Sequence, residues 1–222
     1  MPEPRTNTEA LLYRMCVKGI GGGGSSEGYE ITYLENLFYY SRSSLYDVWV
    51  SRIKSPTDVS SLFYYADDIS NLDLTRIDFS KCNTFTRMFS FSNIKVIDVS
   101  SVDMSSLKSG GANYMFSYCN AEEILGVGRN ANINYNFRDW LQGVGTSLKR
   151  LTISPYAKGM NQPIDIENCS FTREAMVELF ESLPATCTST ITITGNPCVT
   201  DGTLTAEDKA IATNKGCTIV EA

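Results

Sequence analysis

Residues 72–105 read LDLTRIDFSKCNTFTRMFSFSNIKVIDVSSVDMS and carry a pattern that recurs along the chain. A hydrophobic residue followed by phenylalanine occurs at Leu37-Phe38, Leu62-Phe63, Met88-Phe89 and Met115-Phe116. These phenylalanines are 25, 26 and 27 residues apart. A period in this range predicts units that stack along one axis rather than a closed globule. Such an architecture offers a broad surface for binding and seldom a deep catalytic pocket.

Short triplets between these pairs predict the strands. They are Val48-Trp49-Val50, Leu72-Asp73-Leu74 and Ile97-Asp98-Val99, followed near the same spacing by 125–127, 151–153, 191–193 and 218–220. The outer residues of each triplet should point inward and the middle residue outward. The triplet 164–166 comes only 13 residues after its predecessor, so a truncated repeat or an intruding hairpin is expected there. A short helical piece is predicted around each Phe pair, at 33–40, 58–66, 84–90 and 112–118.

The two ends of the chain differ from the repeats. Residues 1–20 predict one short amphipathic helix, which is not stable alone in water and must therefore dock on another surface. Residues 21–28 predict a Gly/Ser-rich linker. Residues 29–222 predict the repeat body, with capping units from about residue 164 that contain helices at 172–183 and 205–215. The side chains expected to anchor the first segment are Pro4, Arg5, Leu11, Leu12, Tyr13 and Met15.

The composition argues against several classes of function. The 222-residue chain has no histidine, which removes Ser-His-Asp and Cys-His catalysis and the commonest zinc ligand. Its net charge of −6 and its lack of a basic tract argue against nucleic-acid binding. No stretch approaches the ~20 apolar residues of a membrane span, and the N-terminus lacks a secretory signal pattern. No cofactor, nucleic-acid partner or membrane insertion is therefore expected.

Seven cysteines are scattered along the chain without a CxxC spacing, which argues against metal and thioredoxin-like motifs. Buried free thiols are the expected state in a reducing compartment. Disulfides among Cys187, Cys198 and Cys217 are the open alternative.

The strand triplets supply one set of candidate binding residues. Asp73 and Asp98 hold equivalent positions, and so do Asp78 and Asp103, which would place each pair about 4.8 Å apart on stacked strands. Like charges at that distance raise each other's pKa. The pairs therefore suggest a cation or polar-ligand site, or a carboxylate pair for glycoside hydrolysis. The alternative is that these aspartates are solvated residues of the repeat without a ligand. Trp49 is either covered by the N-terminal segment or part of a binding face.

Aromatic residues supply the second set. They form the groups Phe38-Tyr39-Tyr40, Phe63-Tyr64-Tyr65, Phe89-Ser90-Phe91 and Phe116-Ser117-Tyr118. The phenylalanines are expected in the core. The tyrosines that follow them can form a row on one flank, an amphipathic surface suited to protein or glycan contact. The candidate residues are Tyr39, Tyr64, Tyr65 and Tyr118.

The repeats resemble a known family. Residues 72–80, 85–89, 97–105 and 114–119 resemble the BspA-type leucine-rich repeat, which runs apolar-Asp-apolar-Ser twice and then Met-Phe with a small residue and Cys. The resemblance implies an α/β fold, namely a leucine-rich-repeat solenoid with short parallel strands and short helices. In this chain an N-terminal anchor segment would precede it.

The ends resemble a narrower group. Residues 2–13 are similar to the leading segment of many tail, fibre and head-decoration proteins of bacteriophages of gut bacteria. Residues 204–216 resemble the end of leucine-rich-repeat phage tail proteins, in which a tryptophan commonly stands where this chain has Cys217. The resemblance implies a non-enzymatic virion structural or host-recognition protein, located in the virion after assembly in the host cytoplasm.

This resemblance also implies partners. The expected ones are capsid or tail proteins through the N-terminal segment, a host-surface glycan or protein, and further copies of the chain as a homo-oligomer or multicopy array. The alternative is a bacterial BspA-like surface adhesin or protein-interaction module. Such proteins usually carry an export signal or lipid anchor, and the sequence predicts neither.

Overall fold

The computed structural model describes residues 55–67, 69, 72–133 and 136–221. They form a mixed α/β structure of short parallel strands and a few short helices, and the strands of this part of the chain close no barrel. The strands are β1 (Val96–Asp98), β2 (Glu123–Val127), β3 (Arg150–Ile153), β4 (Ile164–Asp165), β5 (Thr190–Thr192) and β6 (Thr218–Val220). The helices are α1 (Arg173–Ser182), α2 (Pro197–Thr200) and α3 (Ala206–Thr213). The predictions for 1–28, 33–40 and 48–50 lie outside the described residues.

The strands pair in parallel, and each pair joins residues about one repeat apart. β1, β2 and β3 form one sheet, in which Ile124 lies between Ile97 and Leu151. β4, β5 and β6 form a second sheet, in which Ile191 pairs with Ile219. This register is the one that the repeat period predicts.

Side chains alternate as predicted in the triplets 97–99, 151–153, 164–166 and 191–193, but the prediction is wrong for 125–127 and 218–220. There Leu125, expected to point inward, pairs with the exposed Asp98. Ile219, expected to point outward, pairs with the buried Ile191. Ile97 in β1 is fully buried, whereas Asp98 beside it is exposed. The triplet 72–74 shows the same alternation, but the prediction of a strand there is wrong. Its Asp73 carboxylate accepts hydrogen bonds from the N–H and hydroxyl of Thr75, so the chain turns directly after the triplet.

The segments around the Phe pairs are turns, so the helical pieces predicted at 58–66, 84–90 and 112–118 are wrong. Along each segment the backbone N–H groups alternate between two kinds of partner. The Met88 N–H bonds to Phe85 O, three residues earlier, whereas the Phe89 N–H bonds to Met115 O of the next repeat. A helix would use its N–H groups within itself. The turns use every second one to join neighbouring repeats.

We call these hydrogen bonds between the turns of neighbouring repeats the turn ladder. It places several non-glycine residues in the left-handed backbone region. One column consists of Ser61, Arg87, Tyr114 and Asp139, with φ of 55°, 55°, 58° and 51°. A left-handed conformation costs on the order of 1–2 kcal/mol for such residues. The first three each donate their N–H to a carbonyl of the following repeat. The hydrogen bonds of the turn ladder thus offset the free-energy cost of the left-handed conformation.

A column of buried aromatic rings runs through the core. Phe63 stacks on Phe89 with ring centroids 5.2 Å apart, and Phe89 stacks on Phe116 at 5.6 Å. Trp140 continues the column edge-on to Phe116 at 6.1 Å, and its indole N–H donates to Pro163 O at 3.0 Å. The phenylalanines of the three described pairs thus form one column, which Trp140 extends.

The triplet 164–166 follows its predecessor by only 13 residues because β4 belongs to the second sheet and does not pair with β3. In the first sheet, α1 lies where a fourth strand would pair with β3. The side chain of Arg150 in β3 donates two hydrogen bonds of 2.7 Å to the Glu178 carboxylate of α1. Ser182 Oγ accepts the Ile153 N–H at 2.9 Å, which gives this backbone N–H at the edge of β3 a hydrogen-bond partner. All strand pairs of the described residues are parallel, so the hairpin interpretation is wrong.

The two longer helices confirm the predictions at 172–183 and 205–215. Thr172 Oγ1 accepts the Ala175 N–H at the start of α1. Thr205 and Asp208 form a reciprocal capping box at the start of α3. The short helix α2 was not predicted; it begins at Pro197, a residue well suited to a first helical position.

Two charged contacts attach α3 and the segment after it to α1. Arg173 donates two hydrogen bonds of 2.8 Å to the Asp208 carboxylate, and this contact lowers the pKa of Asp208 to about 2. Lys215 Nζ donates to the carbonyls of Phe180, Glu181 and Leu183, at and just beyond the C-terminal end of α1. These carbonyls are among those that a helix leaves without an internal partner.

A disulfide joins Cys187 to Cys217, so the expectation of free thiols is wrong for this pair. The other cysteines of the described residues are buried free thiols, as expected: Cys82, Cys119, Cys169 and Cys198. Cys16 lies outside the described residues.

The Ser92 hydroxyl generates a prediction about stability. It is 1% exposed and is the one buried side-chain polar atom of the described residues that has no hydrogen-bond partner. Ala66 and Cys119 hold the equivalent positions in neighbouring repeats, each with its N–H bonded three residues back as in Ser92. We expect Ser92→Ala to raise the free energy of unfolding by about 1 kcal/mol, because it removes an unpaired buried hydroxyl. Urea denaturation measures the change.

Ser117→Ala is the matched control. Ser117 is equally buried, but its hydroxyl donates to Asp139 O at 2.6 Å. Its removal should lower the free energy of unfolding by about 1 kcal/mol. If both variants lose stability to a similar extent, Ser92 has a partner and the prediction is wrong.

Candidate binding surface

The candidate residues fall into two groups. Those outside the described residues are Pro4, Arg5, Leu11, Leu12, Tyr13, Met15, Tyr39 and Trp49. Those that the structure places are Tyr64, Tyr65, Tyr118, Asp73 and Asp98.

Three of the tyrosines lie in one continuous aromatic strip, which we define as Tyr64, Tyr65, Phe91 and Tyr118. Phe91 stacks on Tyr65 and on Tyr118, with ring centroids 4.9 Å apart in both pairs. Tyr64 meets Tyr65 edge-on at 4.7 Å and Phe91 at 5.7 Å. The aromatic row expected on one flank is present, with Phe91 as its centre.

The turn ladder positions the strip. Tyr65, Phe91 and Tyr118 have φ of 53°, 56° and 55°, so their side chains leave the backbone in the same direction. Each donates its N–H to the following repeat, to Ser90 O, Ser117 O and Gln142 O respectively. Because equivalent residues share a conformation and a bond, the rings stack along the repeat axis.

Phe91 corrects the expectation that the phenylalanines are buried. Its side chain is 38% exposed, and Tyr118 beside it is 49% exposed. Phe89, two residues earlier, is fully buried. The position of Phe91, equivalent to Tyr65 and Tyr118, was the signal in the sequence that could have identified it.

The geometry of the strip determines what it can contact. The interplanar angles of its two stacked pairs are 17° and 13°, so Phe91 is covered on both faces. The far side of Tyr118 lies against Gly143, where any side chain would collide with the ring. At Phe91 and Tyr118 the strip therefore presents ring edges rather than the open ring faces on which a flat ligand or a cation would stack. A ridge of edges suits contact with another apolar surface.

The aspartates stabilise turns. Asp73 accepts from Thr75, Asp98 accepts the Ser100 N–H at 2.9 Å, and Asp103 accepts the Ser105 N–H at 2.8 Å. The bond from the Thr75 hydroxyl holds the pKa of Asp73 below its usual value. For Asp103, partial burial acts to raise the pKa, but the bonds from Ser105 and Asn130 outweigh it. The rise in pKa expected of like-charged pairs is thus wrong for these two carboxylates.

A shallow cleft of about 560 Å³ lies between the end of β3 and the end of α1. Three of its polar side chains are engaged: Glu178 pairs with Arg150, Ser182 bonds to Ile153 and Leu179, and the Thr152 hydroxyl accepts the Gly126 N–H. The contact with Arg150 lowers the pKa of Glu178, the opposite of what a general acid requires. Within the described ranges, no three His, Cys, Asp or Glu side chains are grouped to bind a metal ion.

Comparisons with protein-family models, with curated proteins and with solved structures gave no match for this chain. None of the helices in the described part is long and apolar enough to cross a membrane.

The turn aspartates generate a prediction about acid stability. The pKa values of Asp73, Asp78 and Asp103 are lowered in the folded chain. Their stabilising contribution is therefore present above the unfolded value of about 4 and is lost as the pH falls below it. We expect the triple variant Asp73→Asn/Asp78→Asn/Asp103→Asn to lose less thermal stability than the wild type between about pH 5 and pH 2.5. Melting curves across this range measure it.

Asparagine keeps a side-chain oxygen to accept the turn N–H, so the fold is retained while the titration is removed. Asp67→Asn is the control, because the exposed Asp67 carboxylate accepts no hydrogen bond from the described residues. Equal pH dependence in the triple variant and the wild type would contradict the prediction.

Proposed function

We propose that the chain is a bacteriophage virion protein, associated with a fibre, the head or the tail, whose leucine-rich-repeat module binds a host surface or other virion proteins. The observation that carries this proposal is the aromatic strip on a stack of parallel repeats, in which Phe91 and Tyr118 are exposed and Tyr64 and Tyr65 are half-buried. The sequence adds the resemblance of both chain ends to phage proteins.

Leucine-rich-repeat solenoid architecture is the first part of the proposal. It is supported by pairings such as Ile97 with Ile124 and Ile124 with Leu151, which recur at one repeat length. The apolar-Asp-apolar-Ser motif also has a structural explanation. Its aspartate accepts a hydrogen bond from the backbone N–H two residues later, as at Asp98 and Asp103. Both features suit a repeat that turns at the same position in every unit.

Binding through the strip is the second part. Interfaces are enriched in aromatic side chains, and the strip exposes them side by side. Its exposed area is on the order of 300 Å², well below the ~800 Å² per partner of a stable complex. A single copy should therefore bind weakly. Many copies on one particle would bind strongly through avidity, which suits a displayed virion component.

Attachment through residues 1–20 is the third part, with capsid or tail proteins as the partners. A bacterial surface adhesin of the BspA type is the second candidate, and only the sequence motif of the repeats favours it. Both candidates would use the strip, and they differ in what the N-terminal segment does.

Deletion of residues 1–24 tests the attachment. We expect the truncated protein to keep its repeat fold and to be lost from purified particles, because the docking segment is gone. Quantitative mass spectrometry of particles grown with the variant measures incorporation. Deletion of 21–24 alone is the control, since it shortens the glycine tether and leaves 1–20 intact. Normal incorporation without 1–24 would refute the anchor.

The double variant Phe91→Ala/Tyr118→Ala tests the strip. We expect adsorption of particles to host cells to fall by about tenfold or more, because truncation of an aromatic contact residue commonly costs about 1–3 kcal/mol. Tyr156→Ala is the control, since Tyr156 is 59% exposed and lies under Arg129, away from the strip. Unchanged adsorption with normal incorporation would rule out the strip as the host-binding surface and leave the attachment proposal standing.

A further inference from the structure

The Cys187–Cys217 disulfide lies where the last strand meets the rest of the structure. Cys187 precedes β5 by three residues, and Cys217 immediately precedes β6. The two Cα atoms are 5.4 Å apart although 30 positions separate them in sequence. The bond thus closes a loop that contains β5, α2 and α3, and it ties the final strand to its neighbour.

Several contacts hold this region in place without the disulfide. The Cys187 N–H bonds to Lys215 O, and the Thr218 N–H bonds to Ser189 O. Lys215 Nζ caps α1, and Arg173 pairs with Asp208. The two cysteines are therefore kept adjacent by the fold itself, whether or not their sulfur atoms are bonded.

The last strand can also open locally. β6 has three residues, and in the described part of the chain it pairs only with β5. Cys217 is 5% exposed and lies between the exposed residues Gly216 and Thr218. Short strands with few hydrogen-bonded neighbours open at low free-energy cost. A small opening of β6 would bring the sulfur atoms into contact with solvent while the repeats stay folded.

The other cysteines of the described region are poor competitors for exchange. Burial raises the pKa of the Cys82 thiol to about 12, of Cys119 to about 11 and of Cys169 to about 12. Exchange proceeds through thiolates. Burial also raises the pKa of the Cys198 thiol. The Cys187–Cys217 pair can therefore exchange with little competition from the buried thiols of the described residues.

We propose that Cys187 and Cys217 form a redox-controlled clasp on the last strand. In a reducing medium the pair is a dithiol and β6 opens readily; in an oxidising medium the bond closes and holds β6 in place. With oxidised glutathione as the oxidant, the Cys217 thiolate forms a mixed disulfide and releases one glutathione. The Cys187 thiolate then displaces the second glutathione. Two thiols lose their protons and two electrons, and one glutathione disulfide is reduced to two glutathiones.

Such a clasp suits a protein that is made in a reducing compartment and works outside it. The chain folds and assembles as a dithiol, and oxidation afterwards fixes β6 against β5. The inference does not depend on what the aromatic strip binds.

Hydrogen exchange on the full chain tests the clasp. In dithiothreitol we expect the amides of 217–221 to exchange roughly 30- to 900-fold faster than in the oxidised protein, the factor that corresponds to a typical disulfide contribution. Amides of 84–153 should be unchanged. Oxidised glutathione should restore protection. Cys217→Ser should behave as the reduced protein in both media, and Cys198→Ser, which alters a buried free thiol, should behave as the wild type.

Three results would overturn the proposal. Unchanged exchange at 217–221 on reduction would mean that the bond does not hold the strand. Loss of protection throughout 84–153 would mean that the bond is required for the whole fold and is no local clasp. Failure of oxidised glutathione to restore protection would mean that the pair does not close reversibly.

Discussion

The hydrogen-bond ladder between equivalent turn residues is the constraint on which the rest of the structure depends. Since alternate N–H groups leave their own turn and bond to the next repeat, each repeat has one register against its neighbour. The same register stacks Phe89 on Phe63 and Phe116 inside the core. It also stacks Phe91 between Tyr65 and Tyr118 outside. Buried and exposed aromatic columns are thus two consequences of one backbone arrangement.

Two ion pairs between neighbouring repeats are consistent with this register. Lys149 pairs with Glu122 of the preceding repeat at 2.7 Å, and Arg150 pairs with the neighbouring Glu123 at 3.1 Å. At these two positions, identical charges in adjacent repeats would lie close together and repel. Opposite charges in adjacent repeats avoid this. These pairs are largely exposed and each adds little stability; their main effect is to disfavour a shifted register.

The sequence allowed the strands and longer helices to be predicted, because in–out alternation and capping residues are local patterns. The turns were mistaken for helices, since short apolar runs such as 84–90 fit both and only the bonds to the next repeat distinguish them. Phe91 was assigned to the core from its residue type, whereas its equivalence to Tyr65 and Tyr118 decides its exposure. The Cys187–Cys217 pairing could not be derived, because it depends on a three-dimensional distance between distant segments.

The helix α1 lies where the next strand of the first sheet would be, and it separates two kinds of structural unit in the described chain. A stack of identical repeats would leave the edge of β3 open to pairing with other chains. Ser182 and Glu178 of α1 occupy that edge instead. The aromatic strip ends in the same region, at Gly143, where the equivalent residue has no side chain. The stacked aromatic strip is therefore limited to the turn-ladder repeats, whereas the units after β3 are held by helix caps, ion pairs and a disulfide. The two parts of the described chain are thus held together differently: hydrogen-bonded turns and stacked rings join the repeats before β3, and side-chain contacts between helices join the units after it.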